Sequence, residues 1–217
     1  MNTYKNQLKF RIFGKAPRSL ANDISNVMLL FVVVVFLVFI NFSRVYTAIS
    51  IKGPSMMPTF NNEYWDNPNK EDIAYYTKLE DHEYRRGDIV IANAGEKDII
   101  KRIVGLPGEK VSIKLDENEQ YYVYINDVKL EEDYIYSRAD MVVEYESFVK
   151  LFGEEITIKE GELFLLGDNR GWSLDSTYYG CFSTEKILGR VDYKVNSNEI
   201  AFVSLFVQLF LPILHKS

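Results

Sequence analysis

The chain has 217 residues, 47% of them hydrophobic and 14% aromatic, enough for one domain with appendages and a core of its own. A net charge of −6 argues against nucleic acid as the main partner. A single cysteine, Cys181, excludes an intramolecular disulfide. The two histidines, His82 and His215, lack metal-ligand spacing to it or to each other, so no metal site is expected.

Residues 1–18 carry Lys5, Lys9, Arg11, Lys15 and Arg18 and no acid. Residues 27–40 then contain no polar side chain, and with their flanks the apolar span covers 24–43. About 20 residues make roughly 30 Å of helix, enough to cross a bilayer. Asn22 or Asp23 is placed to cap its start. A basic leader before an apolar run also fits a cleaved signal peptide, but no small-x-small pattern comes closely after it, which favours a retained anchor. The leader puts the N-terminus in the cytoplasm by the positive-inside rule, so the chain beyond residue 43 begins outside.

Beyond the span, residues 44–52 are rich in β-branched side chains and read as a strand. They lead to Gly53-Pro54-Ser55-Met56-Met57-Pro58-Thr59. A serine beside proline usually marks a turn. Fourteen residues separate Ser55 from Ile40, at most roughly 50 Å of extended chain, which keeps it near the membrane. Met56, Met57 and Phe60 fit either a core or an apolar lip dipping into lipid. Residues 61–86 read as a polar and aromatic loop with one short helix or strand, and Tyr64, Trp65, Tyr75 and Tyr76 suit either headgroup level or an ordinary surface.

Strands are predicted over 88–92, through Lys101 from Ile99 to Val104, over 111–115, 121–125 and 128–130, near 141–149 and 155–158, and over 163–166 and 187–191. Leu106-Pro107-Gly108-Glu109 is a tight turn, and Gly167-Asp168-Asn169-Arg170-Gly171 must be a loop. Cys181 reads as a small buried hydrophobe. Residues 200–214 are apolar apart from Ser204 and Gln208, with Pro212 near the end. At about 22 Å of helix they form either a short second membrane segment or a helix lying on the membrane or on the domain.

A serine hydroxyl attacks only when a base takes its proton. Lysine can serve if neutral, and moving it from about 10.4 to about 7 costs about 4.6 kcal/mol, which apolar burial can supply. Ile99, Ile100, Ile103 and Val104 surround Lys101 with such neighbours. The ordinary alternative is a lysine that snorkels to the surface.

Taken together, Gly53-x-Ser55-Met56-x-Pro58-Thr59, Arg86-Gly87-Asp88-Ile89-Val90, Lys101-Arg102-Ile103-Val104-Gly105-Leu106-Pro107-Gly108 and Gly167-Asp168-Asn169-Arg170-x-x-Ser173-x-Asp175-Ser176, continued to Arg190, span about two thirds of the chain. In that order, with Gly180 and Gly189-Arg190 after them, they resemble the bacterial type I signal peptidases, membrane-anchored serine proteases that remove signal peptides from exported proteins. The resemblance implies a mainly β, antiparallel catalytic domain of the signal-peptidase/LexA-like type. The divisions expected are a basic leader at 1–23, a transmembrane helix at 24–43, an extracytoplasmic catalytic domain at 44–198 with an inserted β subdomain near 110–160, and a hydrophobic segment at 199–217.

By the same resemblance Ser55 is the nucleophile and Lys101 its base. The Ser55 N–H serves the oxyanion, Met56 lines the pocket, and Ser173 hydrogen-bonds the lysine amine. Asp168 pairs with Arg102, and Asp175 anchors the loop. Gly53 stands where some relatives carry a second oxyanion donor. Thr177 stands where many carry arginine, leaving Asp175 to Arg170 or a backbone N–H. Exported preproteins and membrane lipid are the implied partners, and no cofactor is implied. A LexA-type repressor predicts an N-terminal DNA-binding motif that residues 1–43 do not offer. A binding module of the same fold without activity, or a sortase-like enzyme using Cys181, fits the Ser55 and Lys101 motifs less well.

Overall fold

The computed structural model describes residues 20–78 and 84–196. The basic leader up to residue 19 and the apolar segment 200–214 lie outside the described residues. The chain divides into two units at Arg44/Val45.

The described residues of the first unit belong to helix α1, Leu20–Val45, whose last residue opens the second unit. It starts ahead of Asn22 and Asp23, so Asp23 lies in the first turn instead of capping it. Residues Asn22–Val45 are long and apolar enough to cross a membrane, and none of that stretch is buried. At 1.5 Å per residue they measure about 36 Å. Its late polar side chains bond back to their own helix, Asn41 Nδ2 to Leu37 O and Ser43 Oγ to Ile40 O. This satisfies them without water.

The second unit is mainly antiparallel β. Its elements in chain order are β1 (Tyr46–Ser50), β2 (Ile73–Thr77), β3 (Ile89–Asn93), β4 (Asp98–Gly105), β5 (Lys110–Leu115), β6 (Tyr121–Ile125), β7 (Val128–Lys129), α2 (Met141–Phe152), β8 (Glu155–Thr157), β9 (Glu162–Leu166), α3 (Ser176–Tyr179), β10 (Phe182–Ser183) and β11 (Ile187–Val195). A seven-stranded sheet runs β1-β2-β11-β3-β4-β9-β10, and a four-stranded sheet runs β7-β6-β5-β8. The central strands β3, β4 and β9 are buried along most of their length, which is why they read as unbroken apolar runs.

Residues 141–149 form a helix, not the strand that Val142 and Val143 suggest. Met141, Glu144 and Phe148 are buried at helical spacing, while Val142 and Val143 face water. The 3.6-residue period of burial overrides β-branched propensity. Phe148 and Met141 join Val111, Ile113, Val123 and Phe164 in one core beneath the smaller sheet. A second cluster, Ile51, Met56, Phe60, Ala74, Ile91 and Ile100, lies under the serine loop. Met56 and Phe60 are therefore core and not a lip exposed to lipid, with each buried side chain contributing about 1.5–3 kcal/mol.

Candidate active site

Lys101 sits in the middle of β4, opposite Val90 of β3, and is 3% exposed. Its Nζ lies 2.9 Å from Ser55 Oγ and 2.7 Å from the Ile100 carbonyl. Burial drives its pKa down to about 8. The Asp175 and Asp168 carboxylates pull the other way and Lys97 assists the lowering. Desolvation dominates because no carboxylate touches the amine, whose contacts are a hydroxyl and a carbonyl.

The loop that carries Ser55 is pinned by groups far from it in sequence. Met57 N bonds to Pro54 O and Phe60 N to Met56 O, closing it on itself. Asn61 Nδ2 donates to the carbonyls of Ile51 and Gly53, while Asn61 Oδ1 and N pair with Asp72 N and Oδ2. Gly53 has φ +79°, a conformation that favours glycine. From the other side, Asn169 N donates to Ser55 O and Asn169 Nδ2 to Pro54 O. Gly167 is glycine because of close approach: a Cβ there would lie 2.5 Å from Ser55 O and 2.3 Å from Ser173 Oγ. Among the described residues the Ser55 N–H has no acceptor.

Asp168, fully buried, takes a two-pronged ion pair from Arg102, with Nε to Oδ1 at 2.8 Å and Nη2 to Oδ2 at 2.6 Å. Thr59 Oγ1 donates to the same carboxylate, which joins the serine loop, the lysine strand and the Gly167–Arg170 loop. Arg102 also caps Gly87 O and stacks 4.0 Å over the Tyr134 ring. Asp175 is held by Gly167 N at 3.0 Å and by Thr177 N and Oγ1 at 3.1 and 2.9 Å. The threonine thus supplies two donors, and of the two expected partners the backbone N–H is the one used. Arg170 instead turns into a buried cluster with Glu132 and Glu144 and donates to Gly167 O. Burial holds the Glu144 carboxyl well above the usual range, and Arg170 Nη2 donates to Glu132 Oε1.

Two expected contacts are different. Ser173 Oγ is buried and has no hydrogen-bond partner among the described residues, so it does not reach the lysine amine, whose contacts are Ser55 and Ile100. Met56 is 1% exposed and packs in the core beneath the loop, because the turn at 54–57 points it inward; it does not line the cleft. Asn61, Asp72 and Thr59 take supporting roles that sequence reasoning misses. Asn61 and Asp72 stand in a polar run that reads as ordinary loop, and only burial distinguishes them.

Over Ser55 opens a cleft of about 400 Å³. Its walls are residues 49–55 and 97–101, with Ile91 on the floor and Trp172 and Leu174 at the rim. Gly87 N and Asp88 O exchange hydrogen bonds with Ile103, so Ile103, and in step with it Lys101 and Ile99, direct backbone groups toward β3. Asp98 and Ile100 direct theirs the opposite way. There β9 stops pairing at Arg102↔Leu166, which leaves that edge of β4 open to the cleft. Among the described residues no group of His, Cys, Asp or Glu is placed to hold a metal ion.

Residues 24–195 match the family described as signal peptidase, peptidase S26. The chain belongs to this family. Signal peptidase I of Bacillus caldolyticus is 31% identical over 155 residues, 69% of this chain and 79% of that protein. Signal peptidase I P of Bacillus subtilis subsp. natto is 29% identical over 82% of this chain and 91% of its own length. A crystal structure of a signal peptidase I from Enterococcus faecalis V583 aligns with 31% identity and a TM-score of 0.41, covering 51% of this chain and 98% of that one. Membership in the signal peptidase family makes this chain a peptidase, and with the exposed apolar helix α1 it is a membrane-anchored one.

Proposed function

We propose that this signal peptidase cuts exported preproteins with Ser55 as nucleophile and neutral Lys101 as general base. The observation that carries the reading is a buried amine, with its pKa lowered to about 8, within 2.9 Å of the Ser55 hydroxyl. A neutral amine has two N–H groups and one lone pair. One N–H is directed to Ile100 O, and the lone pair faces the Ser55 O–H. Lys101 takes that proton as Oγ attacks the scissile carbonyl carbon. The resulting oxyanion accepts from the Ser55 N–H. The lysine then hands the proton to the departing amine, leaving an acyl-serine. A water, deprotonated by the same lysine, releases the signal peptide and restores the hydroxyl.

The peptide is recognised as an added strand on the open edge of β4, where the backbone groups of Asp98 and the Ile100 N–H are available while Ile100 O accepts from Lys101. Small side chains fit the shallow floor formed by Ile51, Ile91 and Ile100, giving cleavage after small residues. Asp168 and Arg102 fix the loops that set the Ser55–Lys101 distance, and Asp175 holds Gly167 against Ser55. Helix α1 anchors the enzyme with its N-terminus in the cytoplasm and residues 44–198 outside. The test is cleavage of a preprotein by the purified chain in detergent. Ser55→Ala and Lys101→Ala, each with an unchanged circular dichroism spectrum, should both abolish it. Full activity in Lys101→Ala removes the mechanism.

A further inference from the structure

We propose that Trp172, propped by Trp65 and flanked by Leu174, is a subsite for the middle residue of a small-x-small cleavage sequence. It gives that position a preference for large apolar or aromatic side chains. The inference rests on the serine–lysine reading of the cleft and deepens it.

The chain has two tryptophans, and both are here. Their rings lie 5.1 Å apart, edge to face, with Tyr64 set edge-on to Trp65 at 5.2 Å. Trp172 nevertheless remains 61% exposed and Leu174 48%, an apolar wall open to water at the mouth of the cleft. The backbone that carries the wall is tied to the serine loop. Trp172 N donates to Asn169 O, and Asn169 in turn holds Ser55 O and Pro54 O. Gly171 packs so closely on Asp140 that a Cβ there would lie 2.5 Å from Asp140 Cβ. An aromatic side chain whose backbone is anchored beside the nucleophile, with Trp65 against its ring, meets whatever peptide lies over Ser55.

Side chains of an extended peptide alternate between two faces. The residue before the cut and the one two positions earlier share a face and point to the buried floor of Ile51, Ile91 and Ile100. The residue between them points away from the floor, toward the exposed rim. Trp172 and Leu174 form that rim, so a position that floor packing leaves unrestricted is selected here by an aromatic contact.

The experiment uses the full chain in detergent and one signal-peptide sequence ending Ala-x-Ala, with x as Phe, Leu, Gly or Asp. For the wild type, kcat/KM with Phe should exceed that with Gly by about three- to tenfold, the size of one aromatic contact. In Trp172→Ala that ratio should fall to near one, and in Trp65→Phe it should fall part-way. Binding of the same peptides to Ser55→Ala, read by tryptophan fluorescence, should rank x in the same order without any cleavage. An unchanged Phe/Gly ratio in Trp172→Ala overturns the proposal, as does fluorescence that does not depend on x. If the wild type cleaves none of the peptides but Ser55→Ala still ranks them, the subsite stands and the serine–lysine mechanism falls. If all four are cleaved at equal rates, the mechanism stands and the subsite falls.

Discussion

Replacing Lys101 with methionine should inactivate the enzyme and at the same time stabilise its fold. Methionine keeps the side chain unbranched, ends one atom short of the amine, and carries no charge into the interior. The native amine is fully buried and titrates at about 8 rather than 10.5, chiefly because burial penalises the ammonium. That difference corresponds to about 3 kcal/mol lost by the wild type wherever the lysine is charged in both the folded and unfolded states. Because the folded-state value is lowered, the unfolded chain binds more protons between pH 8 and 10.5, and wild-type stability rises across that window. The advantage of Lys101→Met is thus fully present below pH 8 and is lost as pH rises toward 10.5. Urea unfolding at fixed detergent, followed by circular dichroism, measures both. The expected result is a variant more stable by up to about 3 kcal/mol at pH 7, with the gap shrinking by about 2 kcal/mol between pH 8 and 9.5. A wild type that is the more stable protein at pH 7, or a gap that stays constant across the window, refutes the claim that this amine is desolvated.

The rate of peptide cleavage should climb about tenfold per pH unit below about pH 8 and level off above it, as the lowered lysine pKa requires. A flat kcat/KM profile from pH 6 to 9 contradicts the assignment of Lys101 as the base. Gly167→Ala should cost about a hundredfold in kcat, because its Cβ meets Ser55 O at 2.5 Å and must displace the nucleophile. Wild-type kcat in that variant, with its fold intact, would show that the Ser55 backbone yields without consequence.

Local signals carry much of the architecture. An uninterrupted apolar run is long enough to bridge a bilayer whatever its surroundings, and it forms α1. Lys101 between pairs of isoleucine and valine reads as a strand residue because both faces of that strand are apolar, and β4 is buried on both. The family motifs, each a short stretch with its own turn chemistry, are visible for the same reason. Residues 141–149 read wrongly as a strand because valine favours strands locally, whereas burial of Met141, Glu144 and Phe148 on one side is set by Phe164 and the smaller sheet.

The amino-acid order by itself determines which segments are apolar, where they turn, and which rare polar residues interrupt them. Only the tertiary structure decides whom those polar residues touch. Lys101 meets a hydroxyl 46 positions away and Arg102 a carboxylate 66 away. Asp175 turns to Thr177 and Gly167 while Arg170 goes to Glu132, and Ser173 is left facing no partner among the described residues. A buried polar group must be satisfied by whatever the strand order brings within about 3 Å, and strand order is a property of the whole sheet, absent from any short stretch of sequence.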